Sequence, residues 1–180
     1  MAEGFKLIEP KIQPVLDPEF KPAVLANHNF LKEVEESGQG MPLKICLERN
    51  DGIVSVYETM IFGPDAGRDE ANRFYVERTV KFLLWQRGAW KITIAGSQDL
   101  ADYIAELYKP GGERQFDADL MGDDVYDETF AVEGCAYDDA PAQAEQTMEI
   151  GGHLEGCRVG FDLGASDRKA SAVVDGEVLQ

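Results

Sequence analysis

Residues 43–62, LKICLERNDGIVSVYETMIF, carry the strongest structural signal in the chain. In the first half of this stretch, aliphatic residues alternate with more polar ones, as in a strand with one buried face. Asn50-Asp51-Gly52 then supplies residue types that accept the positive φ angles of a tight turn. The second half alternates again and is rich in β-branched and aromatic residues. This stretch therefore predicts a β-hairpin.

The segments after the hairpin alternate between helical and strand-like patterns. A helix is predicted from Asp69 to Arg87, ended by Gly88, and a strand over residues 90–95. Ser97 is an N-cap for a further helix over residues 98–108. The apolar surface predicted for the first of these helices consists of Phe74, Val80, Phe82, Leu83, Leu84 and Trp85. This order predicts an α/β or α+β fold with helices packed on a sheet.

The beginning of the chain predicts an arm followed by a domain. Residues 1–22 contain four prolines, which favour an extended arm and block a regular helix. A helix is expected over residues 23–36. We assign residues 23–150 to an amino-terminal α+β domain, and residues 151–180 to the start of a second domain, because Gly151-Gly152 is typical of a joint.

Composition narrows the possible partners and locations. The chain has 180 residues, 44% hydrophobic and 28% charged, with a formal net charge of -17. This charge repels polyanions, so we expect no nucleic-acid binding. There is no membrane-spanning run and no secretory signal pattern at the start, so we expect a cytoplasmic location without membrane association. The three cysteines are widely spaced, and we expect free thiols.

Two groups of residues invite a metal-binding interpretation. Seven acidic residues crowd residues 113–129, but their spacing lacks the order of a calcium loop. We interpret this segment as a solvated loop rather than a cation site. His28 and His153 lie far apart in sequence, and we expect neither to bind a metal.

The last part of the chain contains the residues with the clearest chemistry. An apolar strand beginning at Cys157 leads into a polar, glycine-containing segment over residues 162–169, and a second apolar strand and an Asp175-Gly176 turn follow. Gly164 permits close backbone approach to a ligand. The N–H groups around Ala165 and the Ser166 hydroxyl would cradle phosphate oxygens.

Charged residues flank this predicted loop. Lys169 or Arg168 would neutralise phosphate charge, and Asp162, placed at the end of a buried strand, would hold Mg²⁺ through water. A simple β-meander with an Asp-rich turn is the alternative, and spacing alone leaves both interpretations open.

Residues 160–176, GFDLGASDRKASAVVDG, resemble the first phosphate motif of the ASKHA superfamily, which includes acetate and sugar kinases and actin. Within it, the run is most similar to the ROK family of sugar kinases and sugar-responsive repressors, whose motif is Asp-x-Gly-Gly-Thr-Lys. By position, Asp162 matches the aspartate and Gly164 the first glycine. Ala165 and Ser166 replace the second glycine and the threonine. The basic residue that ends the ROK motif comes later in this chain than in the motif.

The Asp-Leu-Gly-Ala-Ser opening of this run also resembles carbohydrate kinases of the FGGY type such as rhamnulokinase, in which an arginine follows at about the place of Lys169. Both resemblances are confined to residues 157–180. The first 150 residues show no family motif.

The ROK resemblance implies the amino-terminal part of an actin-like ATP-dependent sugar kinase, using ATP and Mg²⁺ with nucleotide and sugar as ligands of the complete protein. It implies nucleotide-phosphate and magnesium contacts at Asp162, Gly164, Ala165, Ser166 and Lys169, with no catalytic residue in this chain. The alternative is a non-enzymatic ROK-like regulator that senses sugar or nucleotide, or a partner-binding module.

Overall fold

The computed structural model describes residues 4–146 and 151–179. The chain divides into two units, Met1–Glu145 and Gln146–Gln180. The joint expected at Gly151-Gly152 adjoins residues 147–150, which lie outside the described residues. Among the described helices, none combines the length and apolar character needed to cross a bilayer.

The first unit combines helices with a mixed sheet, as the predicted α/β class requires. Strand order is β2-β1-β3-β4, in which β1 is antiparallel to β2 and β3, and β3 is parallel to β4. The elements in chain order are α1 Ala23–Ser37, β1 Gly40–Glu48, β2 Val54–Phe62, α2 Asp69–Arg87, β3 Lys91–Ala95, α3 Gln98–Tyr108, α4 Gln115–Asp119 and β4 Ala131–Cys135.

The predicted hairpin forms as expected. Asp51 and Gly52 have φ angles of 59° and 69°, the left-handed region that the turn requires. Leu43, Ile45 and Leu47 on β1 are fully buried and belong to one hydrophobic core with residues of α1, α2 and α3. The helices therefore cover one face of the sheet.

Helix α2 forms over the predicted residues, but its buried surface differs from the prediction. Tyr75, Val76 and Leu84 are buried in the core, whereas Phe82 and Trp85 are 63% and 47% exposed. Both belong to the predicted apolar surface, but neither is buried in the core. The helix carries apolar residues on more than one side, and only one side meets the sheet.

The acidic segment expected to be a solvated loop is instead ordered and packed. It contains α4 and a π-helical turn over Leu120–Tyr126, and Asp117 is buried. The Asp117 carboxylate accepts a hydrogen bond from Trp85 Nε1 at 2.8 Å and lies 3.4 Å from Lys81 Nζ. Cationic and N–H partners on α2 thus offset the cost of burying this charge.

The proline-rich arm contains no helix or strand over residues 4–22. Phe5 is buried, with ring centroids 5.7 Å from Phe30 and 4.7 Å from Phe74. Pro22 immediately precedes α1 and has extended backbone angles.

The second unit is a three-stranded antiparallel meander in the order β5-β6-β7. The strands are β5 Cys157–Leu163, β6 Arg168–Val174 and β7 Glu177–Val178. Asp175 and Gly176 form the turn between β6 and β7 with φ angles of 47° and 88°. This confirms the turn predicted from Asp-Gly.

Candidate functional site

The β5–β6 hairpin has two chemically different faces. Directly opposed residues share a face, and the register pairs Asp162 with Lys169 and Phe161 with Ala170. One face therefore carries Asp162 and Lys169 together with Val173, and the other face is mainly apolar but also carries Arg168 opposite Leu163. The apolar residues of that second face are Val159, Phe161, Leu163, Ala170, Ala172 and Val174.

A four-residue loop, residues 164–167, joins the two strands and is exposed to solvent. A Cβ atom at Gly164 would lie 2.9 Å from Asp167 Oδ1 and 3.2 Å from the Asp167 carbonyl oxygen. The residue at this position therefore has little room for a side chain. Ala165 and Ser166 form the exposed tip of the loop.

Charges are balanced at the end of the hairpin that carries the loop. Lys169 Nζ lies 3.3 Å from Asp167 Oδ2 and 3.8 Å from Asp162 Oδ2, and all three side chains are mostly exposed. Arg168 adds a second cation beside the loop. Exposed ion pairs of this kind are weak, so Lys169 is free to move to another anion.

The structure thus brings all five predicted contact residues to one end of the hairpin. Asp162 lies within β5, one residue before the strand ends, and Lys169 lies opposite it on β6. The expectation that Asp162 ends a buried strand was wrong, because every residue of β5 is exposed. The described part of this unit is a single sheet layer with no helix against it.

The exposed loop and its flanking charges suit binding of a phosphate group. Backbone N–H groups at the tip are not used by the β-ladder, and a nearby ammonium is available. The Asp162 carboxylate would bind Mg²⁺ through water once Lys169 moves away. Within residues 4–146 and 151–179, no three His, Cys, Asp or Glu side chains cluster as a metal site.

A polar cluster that the sequence did not indicate lies at one edge of the first unit. Ser55 Oγ accepts from Arg49 Nη2 at 2.7 Å and donates to Glu145 Oε1 at 2.6 Å. Arg87 Nη1 lies 2.6 Å from the same Glu145 oxygen. The Ser55 hydrogen bond, followed by the charges of Arg87 and Arg49, holds the pKa of Glu145 below its usual value.

This cluster fastens the end of the unit to the sheet. Ala144 and Val54 exchange two backbone hydrogen bonds of 3.0 and 2.9 Å next to it. In the sequence, the only indication of this cluster was Ser55 itself, a small polar residue at a core-facing position of β2. Its acidic partner, Glu145, lies 90 residues away in the chain, so the pattern alone did not reveal the contact.

A second unpredicted group lies between α2, α3 and α4. Arg114 Nε donates to Glu77 at 2.8 Å, close to the buried Asp117. Burial, together with the charges of Asp117 and Glu77, raises the pKa of Tyr108. The hydroxyl of Tyr108 is buried without a hydrogen-bond partner in the described residues. The contacts of this group hold α4 against its neighbouring helices.

A pocket of about 290 Å³ lies at the carboxyl ends of β2 and β3, beside the first turns of α2 and α3. Its buried polar side chain, Asn72, exchanges hydrogen bonds of 2.9 and 2.8 Å with the backbone of Phe62. Arg73 is 3.1 Å from Glu70. Because these groups bind one another, the pocket identifies no ligand.

No protein-family model, curated protein or solved structure matches this chain.

Proposed function

We propose that this chain is the amino-terminal part of a ROK-like, ATP-dependent sugar kinase and that the β5–β6 loop contacts nucleotide phosphate. The observation that carries the proposal is the exposed loop over residues 164–167, which lies between a carboxylate and an ammonium on one face of a hairpin. A protein catalyses phosphoryl transfer mainly by positioning and charge stabilisation. These groups fit that role.

Each residue of the loop has a distinct task in this proposal. Gly164 allows the phosphate to approach the backbone, and the N–H groups of Ala165 and Ser166 donate to phosphate oxygens. The Ser166 hydroxyl is a further donor. Lys169 leaves its two carboxylate partners and neutralises phosphate charge, while Asp162 holds Mg²⁺ through its water shell.

The apolar face of the hairpin supports the same proposal. Phe161 and Leu163 are 73% and 76% exposed on one face of β5. In an actin-like domain a layer of helices covers the sheet, and an apolar face suits that packing. The polar face, which carries Asp162 and Lys169, would remain open toward nucleotide.

The hairpin supplies one wall of such a site. Transfer to a sugar hydroxyl also requires a base near that hydroxyl and a second wall around the nucleotide. We therefore expect this chain to bind Mg²⁺-ATP weakly and to release no ADP in response to sugars. In the complete kinase, nucleotide and sugar would bind in the cleft formed with that second wall.

The test is an NMR titration of the chain with Mg²⁺-ATP, combined with an ADP-release assay over a panel of hexoses. We expect amide shifts centred on residues 164–167, lost in Asp162→Asn and retained in Glu177→Gln. Glu177 is an exposed carboxylate of the same sheet and serves as the matched control. Asp167→Asn should tighten binding, because it removes a competitor for Lys169.

Shifts elsewhere in the chain, or equal shifts in both carboxylate variants, would contradict the assignment of the loop. Sugar-dependent ADP release by this chain would contradict the assignment of the catalytic base to another part of the kinase.

A further inference from the structure

An apolar groove of about 450 Å³ lies between α1 and α2 in the first unit. Val24 and Phe82, both more than half exposed, contribute apolar surface to it. The side chains of Leu31, Tyr57 and Arg78 also line the groove. The groove lies between the core and the exposed side of α2.

Arg78 gives the groove a positive charge. Its guanidinium lies 5.2 Å from the centre of the Phe74 ring. Among the described residues, no carboxylate forms an ion pair with it. In a chain with a net charge of -17, an arginine without an acidic partner is well placed to receive one from outside.

The proline-rich arm carries a segment with complementary chemistry. Val15 and Leu16 are 94% and 98% exposed, and Ile12 is also exposed. Asp17 and Glu19 follow directly. Pro14 and Pro18 fix the φ angle at their own positions, and the Phe20 N–H donates to the Asp17 carbonyl at 3.1 Å in a turn, so this segment loses less conformational entropy on binding than an unrestricted chain does.

We infer that residues 12–20 of a second copy of this chain occupy the groove, so that two copies exchange arms. Val15 and Leu16 of the arm cover the exposed Phe82, and Asp17 or Glu19 of the arm pairs with Arg78. The apolar groove thereby loses its contact with water, which is the main source of binding free energy. The inference concerns the first unit and is independent of the loop at residues 164–167.

The arm of the same copy is poorly placed to fill this groove. Ala23, the first residue of α1, lines the groove, and the arm joins α1 immediately before it. Pro22 has φ -61° and ψ 129°, so the chain leaves the helical path at this residue. Val15 and Leu16 of that arm are accordingly in solvent.

A twofold exchange is consistent with the reach of the arm. Leu16 lies six positions before Pro22, a stretch that spans at most roughly 20 Å when fully extended and is shortened here by the turn at residues 17–20. In a twofold dimer each contact occurs twice, so both arms and both grooves are used and no edge is left open.

The test is the mass of the chain in solution, measured by light scattering and by sedimentation over a range of concentrations. We expect twice the 19.9 kDa of one chain. Phe82→Asp and Leu16→Asp should each shift the mass to that of one chain, and Arg78→Glu should weaken association at least tenfold. Phe116→Asp, at another exposed helical phenylalanine, is the matched control and should remain dimeric.

Mixing the two aspartate variants isolates the arm–groove contact. Phe82→Asp retains a normal arm, and Leu16→Asp retains a normal groove, so equimolar mixing should restore one contact per pair and produce heterodimers. Circular dichroism verifies that each variant is folded. A wild-type mass of 19.9 kDa at all concentrations, or a dimer insensitive to Leu16→Asp, would overturn the inference.

Discussion

Glu33 provides a test of how the arm is fastened to the first unit. Its carboxylate accepts from Arg68 Nη2 at 2.7 Å and from Asn29 at 2.9 Å, and it lies 3.0 Å from Lys6 Nζ. Arg68 also donates to the carbonyl of Gly4 at 2.6 Å. Glu33 thus joins the arm, α1 and the start of α2.

The size of this contribution follows from the pKa of Glu33. Partial burial opposes ionisation, but the hydrogen bonds from Arg68, Lys6 and Asn29 outweigh it and lower the pKa from 4.5 to about 2. Each tenfold change in proton affinity corresponds to about 1.4 kcal/mol, so the ionised carboxylate contributes roughly 3 kcal/mol at neutral pH. Because glutamine keeps a neutral acceptor, we expect Glu33→Gln to cost about 2 kcal/mol at pH 7.

The sign of the pH dependence is fixed by the direction of the pKa shift. Since the folded pKa is lower than the unfolded one, the stabilisation is complete well above pH 4.5 and is lost as pH falls toward about 2. By pH 3 less than half should remain, roughly 1.4 kcal/mol. The difference in unfolding free energy between wild type and Glu33→Gln should therefore shrink steadily between pH 5 and pH 3.

The assay is urea unfolding followed by tryptophan fluorescence at pH 7, 5, 4 and 3. Glu36→Gln is the control, because Glu36 lies on the same helix in an exposed pair with Lys32 at 3.6 Å and should contribute little. A difference between wild type and Glu33→Gln that is below half a kcal/mol at pH 7, or that does not change with pH, would refute the reasoning.

Four further substitutions test the packing of the first unit by urea unfolding. Leu84→Ala should cost about 2–5 kcal/mol because Leu84 is fully buried. At protein concentrations low enough for the chain to be monomeric, Phe82→Ala should cost little, and equal costs would contradict the observed orientation of α2. Ser97→Ala should cost about 0.5–1 kcal/mol, since the hydroxyl accepts from the first turn of α3; no change would show that this cap is not used. Asp117→Ala should cost about 1–3 kcal/mol because it leaves Trp85 Nε1 without its acceptor, and a neutral result would mean that α4 is held by other contacts.

The elements that the sequence predicted well are those specified by local chemistry. Asn50-Asp51-Gly52 has the residue types that its turn requires, and Ser97 caps α3 where expected. The boundaries of these elements depend on neighbouring residues alone, so a single sequence suffices to place them.

The predictions that failed depend on contacts between distant residues. Phe82 and Trp85 belong to the predicted apolar surface of α2 but are exposed, because periodicity does not identify which apolar side meets the sheet. The sequence predicted a solvated loop around Asp117, because the residues that contact its carboxylate, Lys81 and Trp85, lie more than 30 residues earlier in the chain. Similarly, Ser55 gave no sign of its contact with Glu145.

The two faces of the β5–β6 hairpin differ in polarity. A meander with solvent on both sides has no reason to separate polar and apolar residues, yet the apolar residues Val159, Phe161 and Leu163 share one face of β5. Arg168 of β6 also lies on that face. An apolar face is favourable where another layer covers it, and it is a liability where water does. The segregation therefore favours a sheet that is covered on one side and open at Asp162 and Lys169 on the other.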